Sequence, residues 1–205
     1  MKPFDFTANY SLENDRVLLR PLLAEDFDHL LEFSLQEPEI WLYSLVSGNG
    51  EENLKNYIRL ALEKRKQADS YPYIVYDKKY QNYAGTTRFY DFQKTHNTVQ
   101  LGYTWYGKEF QGTGLNKQCK YLLLSFAFEE LGVHRVEFRA DNNNARSIAA
   151  MKSIGCVPEG VLRSNCASVG GRRDSIIFSI LQHEWKSHVK KEPASESKVK
   201  INHYI

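Results

Sequence analysis

The chain is poor in anything that would staple or anchor it. Three cysteines in 205 residues, Cys119, Cys156 and Cys166, show no Cys-x-x-Cys pair and no nearby histidine to complete a zinc set, so a disulfide framework and a structural metal are both excluded. Buried thiols in a reducing compartment are the expectation. The longest apolar run, Tyr121 to Phe128, is far too short to span a bilayer, and the opening MKPFDFTANY has no apolar h-region. Cytoplasmic placement without membrane contact follows as the expectation. Charge of one sign is lacking too. The net charge is +2, and residues 186–205 hold five lysines against Glu192 and Glu196, leaving 22 basic and 23 acidic residues elsewhere. A nearly neutral body offers no concentrated basic face for nucleic acid, which is not expected as a partner.

What is present suits one soluble domain. A chain of this length buries roughly 70% of the surface its unfolded form exposes, so an apolar core suffices. Val17–Leu22 reads as a first strand and Ala24–Phe33 as a helix with acidic residues in its first turn. A loop with Pro38 and Ser47-Gly-Asn-Gly50 leads to a charged helix, Glu51–Gln67. Three runs rich in aromatic and β-branched residues, Tyr71–Asp77, Tyr83–Phe92 and Thr98–Tyr106, predict an antiparallel meander. Beyond them the pattern alternates: an amphipathic helix from Leu115 to Leu131, a strand at His134–Ala140, a helix from near Asn144 to Gly155, and strands at Val157–Ser164 and Asp174–Leu181. Alternation of this kind predicts a crossover pair and a mixed α/β sheet. Residues 1–186 are read as the domain, and 187–205, containing KKEPASESKVK, as a polar, mobile tail.

The informative segment runs from Thr98 to Asn116, where a strand enters a loop with Gly107, Gly112 and Gly114 that opens the long helix. The first amides of a helix have no intrahelical acceptor, and together with the positive dipole end they favour an anion. A tight glycine turn is the alternative reading of the same residues. Gly107-Lys-Glu-Phe-Gln-Gly112 has the glycine spacing of a P-loop, but Thr113-Gly114 stands where Lys-Ser/Thr is required, which excludes that class of triphosphatase. Leu115-Asn116 likewise breaks the dinucleotide fingerprint.

Gln111-x-x-Gly114 at a helix start, then His134-Arg-Val-Glu137, Asp141-x-x-Asn144-x-x-Ser147, Ile154-Gly155-Cys156 and Glu159-Gly-Val-Leu-Arg163, together resemble the GNAT superfamily of acyl-CoA N-acyltransferases, over about residues 12–186. Within it the chain is most similar to the ribosomal-protein-alanine N-acetyltransferase-like branch. The resemblance implies a bent, mostly antiparallel sheet with one parallel pair splayed at the cofactor site. It implies that acetyl-CoA is the acetyl donor and that no metal is needed. Main-chain groups of Thr104, Trp105 and Tyr106 are expected to pair with the pantetheine arm, and the amides of Gln111, Gly112, Thr113, Gly114, Leu115 and Asn116 to hold the pyrophosphate. Asn144 and Ser147 are carried over as cofactor contacts, with Ser147 as proton donor to the departing thiolate. Asn144 as a plain helix cap is the competing reading. Where many relatives have a tyrosine acid this chain has Met151, and where many have an acidic residue it has Gln100.

Without a strong base the acceptor should be an amine of low pKa. At pH 7 an α-amine is about 10–15% neutral and a lysine amine about 0.04%. The expected function is transfer of an acetyl group directly to a primary amine, with a protein N-terminus as one acceptor. A small-molecule amine (polyamine, amino acid or antibiotic) and a non-catalytic acyl-CoA-binding module are the alternatives, and monomer and homodimer are both open. Trp41, Tyr43 and Ser47–Gly50 are expected beside the acceptor or in aromatic packing, and Gly170-Gly-Arg-Arg-Asp174 as a hairpin turn. Glu137 and Glu159 are the remaining candidates for a base.

Overall fold

The computed structural model describes residues 1–168 and 171–187, with the backbone of 198–202. A hairpin of β1 (Asn9–Glu13) and β2 (Val17–Pro21) turns at Asn14, whose Oδ1 accepts from the amides of Arg16 and Val17 at 2.9 Å each. Helices α1 (Phe27–Gln36) and α2 (Glu51–Lys66) follow. The second opens with Glu51 and Glu52 and closes with Lys64, Arg65 and Lys66, a charge order that complements its dipole. Leu54, Tyr57, Ile58 and Ala61 are its buried stripe. The expected meander is present as β3 (Ser70–Asp77), β4 (Asn82–Gln93) and β5 (Thr98–Tyr106), each antiparallel to the one before.

From β5 the chain crosses over through α3 (Leu115–Ser125), whose last turn widens to π geometry at Phe126–Glu130, and returns as β6 (Arg135–Asp141) parallel to β5. Then come α4 (Ala145–Ser153), β7 (Val157–Ser168), β8 (Gly171–Leu181) and a short α5 (Gln182–Ser187). The sheet order is β7-β8-β6-β5-β4-β3-β2-β1-β9, where β9 is Lys198–Asn202. The mixed α/β fold is thus the one expected, with β5–β6 the parallel pair.

Two strands, β1 and β9, and the short helix α5 were not anticipated. Strand β1 offers only Tyr10 and Leu12 as buried apolar residues, too few to register alone, and it exists because β2 supplies its ladder. Of the segment read as a tail, residues 198–202 pair antiparallel with β1, while 188–197 and 203–205 lie outside the described residues. Trp185 at the end of the body is fully buried, its ring 5.8 Å from Phe128 and its Nε1 donating to Glu129 at 2.9 Å.

The sheet separates two cores, because side chains alternate across it. Phe89 of β4 packs against Phe126 on the α3 face, whereas Arg88 meets Tyr57 of α2 on the opposite one. Leu115, Cys119, Leu122 and Leu123 bury the stripe of α3 at 0–1% exposure.

Candidate active site

The site begins where a ladder ends. Strands β5 and β6 pair only at Thr98–Arg135, Val99–Val136 and Gln100–Glu137, and from Leu101 onward they diverge. A bulge sets the divergence: Trp105 opposes Thr86 and Gly102 opposes Arg88, so Tyr103 and Thr104 both stand against Thr87. Tyr103 takes a left-handed φ of 50° there. Gly85 fits the same region for a steric reason, since a Cβ at that position would lie 2.0 Å from the Trp105 carbonyl oxygen.

At the far end of β5 the chain turns through Gly112 (φ 74°) and Gly114 (φ 86°) into α3. The amides of Gly112, Thr113, Gly114 and Asn116 have no acceptor among the described residues. A Cβ on either glycine would meet nothing within 4 Å, so the loop presents bare backbone to open space. That arrangement suits a diphosphate. Two positions in the expected cradle are otherwise engaged. The Gln111 amide donates to the Lys108 carbonyl at 3.0 Å, and the Leu115 amide makes a long contact with Thr113 Oγ1 at 3.4 Å while its side chain is fully buried.

The side chains of Trp105 and Tyr106 are buried, the first 4.6 Å from the Trp41 ring and the second beside Cys119. Only their main chain is left for a ligand. Thr104 is different, for its hydroxyl bonds Thr87 Oγ1 and accepts from Lys120 Nζ, both at 2.8 Å. Asn144 caps α4, its Oδ1 accepting from the Ser147 amide at 3.0 Å, so the capping reading holds for that oxygen. Ser147 is half-buried on the first turn of α4, and the neighbouring Arg146 donates to Gln111 Oε1. This contact brings the start of α4 to the loop that opens α3.

Neither candidate carboxylate is free to act as a base. Glu137 is bound by Arg135 at 2.8 Å and Arg139 at 2.7 Å. Arg135 also grips Glu159, and that hydrogen bond, aided by one from Ser179, holds the Glu159 carboxyl below the usual carboxylate range. Gln100 is buried and donates to Asp91 Oδ2 at 2.6 Å. The thiols of Cys119 and Cys156 are pushed up to about 12 by burial, which makes them poor nucleophiles, and Cys166 is half-buried.

Two cations were missed. Lys120 interrupts the apolar stripe of α3 and is 6% exposed, with no carboxylate partner among the described residues. Its ammonium lies 5.7 Å from the Phe138 ring of β6, hence between the diverging strands, and desolvation pulls its pKa down to about 8. Arg88 is also 6% exposed and sits on β4 beside the bulge. A charged residue inside an otherwise buried run was the available signal in both cases.

A cavity of about 540 Å³ lies between the loop after α1 and the β7–β8 hairpin, lined by Tyr43, Ser44, Asp141, Asn143, Arg172 and Arg173 among others. Arg173 braces it, donating to the Tyr43 carbonyl at 3.1 Å and to Ser175 Oγ at 3.0 Å. Trp41 is buried in aromatic packing, and Gly170 lies outside the described residues. Among the described residues no cluster of three His, Cys, Asp or Glu could hold a metal, and no helix is long and apolar enough to cross a membrane.

The crossover sheet thus opens at its parallel pair, with an amide-lined helix start at the mouth. The family model described as an acetyltransferase (GNAT) domain matches residues 16–157, and the chain belongs to that family of N-acetyltransferases. It is 26% identical over 179 residues to YdaF of Bacillus subtilis (strain 168), named a putative ribosomal N-acetyltransferase, covering 84% of this chain and 95% of that one. Among solved structures, a putative acetyltransferase from T. thermophilus is 31% identical with a TM-score of 0.79, covering 91% and 94%. The ribosomal-protein-S5-alanine acetyltransferase from Vibrio fischeri, at 19% identity, a TM-score of 0.68 and coverage of 85% and 98%, shares the fold.

Proposed function

We propose that the chain transfers an acetyl group from acetyl-CoA directly to a primary amine, with the α-amine of a protein N-terminus as the leading acceptor class. The observation that carries this reading is the ladder that stops after Gln100–Glu137, faced by the unpaired amides of Gly112–Gly114 and Asn116. Acetyl-CoA supplies an acetyl group activated as a thioester. The amides of Gly112, Thr113, Gly114 and Asn116 would hold its pyrophosphate, with Arg146 as an added positive charge, and the main chain of Thr104–Tyr106 would receive the pantetheine arm. The name of the YdaF relative supports a ribosomal acceptor, and the cavity beside Tyr43 and Asp141 is the route we assign to it. Small-molecule amines remain the rival acceptor class.

With Glu137 and Glu159 both held by arginine, water takes the proton from the attacking amine. Ser147 is the assigned donor to the departing thiolate. A second reading rests on Lys120, whose ammonium sits between the strands and has a pKa of about 8, so it can give up a proton near neutrality. The test is free-thiol release over N-terminal peptides and small amines, paired with calorimetry of acetyl-CoA. Amine-dependent release supports transfer, and binding without release overturns it. Between the two donors, loss of kcat in Ser147→Ala with an unshifted pH profile selects Ser147, whereas loss of a limb near pH 8 in Lys120→Met selects the lysine.

A further inference from the structure

Arg88 is a guanidinium without an anion. Its Cζ lies 4.1 Å from the centre of the Tyr103 ring and 5.1 Å from that of Tyr57, between β5 and α2. None of its five N–H donors has a hydrogen-bond acceptor or carboxylate among the described residues. The residue is 6% exposed, yet its nitrogens are not among the polar atoms sealed from solvent, so they still reach the surface. The surroundings are equally short of acceptors. The Tyr57 hydroxyl is engaged with Thr86 Oγ1 and the Tyr103 carbonyl, and the indole N–H groups of Trp41 and Trp105, in the same aromatic cluster, are buried with no partner among the described residues.

Two aromatic faces recover only part of the hydration a buried cation loses, and an arginine cannot shed its charge. Such a group beside an opening is suited to receive an anion. Arg88 pairs with Gly102 of β5, two residues beyond the last β5–β6 rung, so it stands at the apex of the divergence on the α2 face. A planar guanidinium matches a planar carboxylate through two parallel hydrogen bonds, and one fixed charge balances one carboxylate.

We infer that Arg88 is a carboxylate-binding group of the acceptor site, so that the preferred amine carries a carboxylate: a free amino acid, or a peptide whose α-amine is followed by Asp or Glu. This rests on the acetyltransferase reading above. The experiment compares matched acceptors on the wild-type protein, amino acids against their amides and peptides with Asp or Glu at the second position against Asn or Gln. A carboxylate preference of about 50-fold in kcat/KM is expected in one of the two arms, and that arm identifies the source. In Arg88→Met the ratio should fall to about 1, Arg88→Lys should restore part of it, and acetyl-CoA affinity should stay unchanged in both. Equal rates for carboxylate and carboxamide acceptors in the wild type, or a ratio that survives in Arg88→Met, would overturn the inference while leaving acetyl transfer intact. Transfer to no amine at all would overturn the acetyltransferase reading and this inference with it.

Discussion

Lys120 and Arg88 flank one opening from opposite faces of the sheet, equally buried and, among the described residues, equally without a carboxylate, yet the protein treats them differently. The lysine is given a hydroxyl acceptor, Thr104, and a pKa near 8, so its charge is adjustable. The arginine is given tyrosine faces and, among the described residues, no acceptor, and an arginine keeps its charge. A group that can neutralise itself fits the face of α3, where proton balance changes as a thioester is cleaved. One that cannot fits the face of α2, where a fixed anion has to be recognised. On the reading proposed above, the two faces would divide donor chemistry from acceptor recognition.

The sharpest break of that division is Gly114→Val. The φ of 86° is hostile to a β-branched residue, and the added carbons would project into the space in front of the amides. Acetyl-CoA affinity by calorimetry should fall roughly 100-fold, about 2.7 kcal/mol, with carboxylate preference among residual turnovers unchanged. A dissociation constant like that of wild type removes the loop from the donor side.

Lys120→Met addresses the opposite cation. A lysine whose pKa is lower in the folded than in the unfolded chain binds fewer protons when folded, so its contribution to stability rises with pH between about 8 and 10.5 and is flat below. Wild type should gain up to roughly 3 kcal/mol across that window, and the methionine variant should lack this gain in urea titrations at pH 7.5 and 10. Equal slopes for the two proteins would mean that the ammonium is not desolvated.

Ser147→Ala should lower turnover about tenfold with little change in acetyl-CoA affinity; equal loss in both makes the serine a binding group. The smallest effect is expected for Asn144→Ala, which removes the cap of α4 and should cost about 1 kcal/mol in chemical denaturation. A cost near zero there would free Asn144 for a role beyond capping.

Much of this was readable from the chain. The meander from β3 to β5 announces itself through aromatic and β-branched runs, and α3 through Leu115, Cys119, Leu122 and Leu123 at helical spacing. The glycine loop at 112–114 was legible as a helix start with unpaired amides, and the bare backbone there agrees. The occupied amide of Gln111 was not, because its acceptor, the Lys108 carbonyl, is a product of the local 3-10 turn. Glu137 and Glu159 read as candidate bases only until Arg135, which bridges them across two strands, is placed. Arg88 and Lys120 each interrupt an otherwise buried run, but the run alone does not say which groups surround the cation.

Periodicity and glycine placement were enough for the main helices and strands, because those follow from contacts among residues near in sequence, and motif order pointed to the crossover and the family. The point where β5 and β6 part, the pairing of Glu137 and Glu159 with Arg135, and the isolation of two cations on opposite faces depend on strands brought together from distant parts of the chain. Burial and partner choice are properties of that assembly, and they are what turn a residue's ordinary charge into a chemical demand.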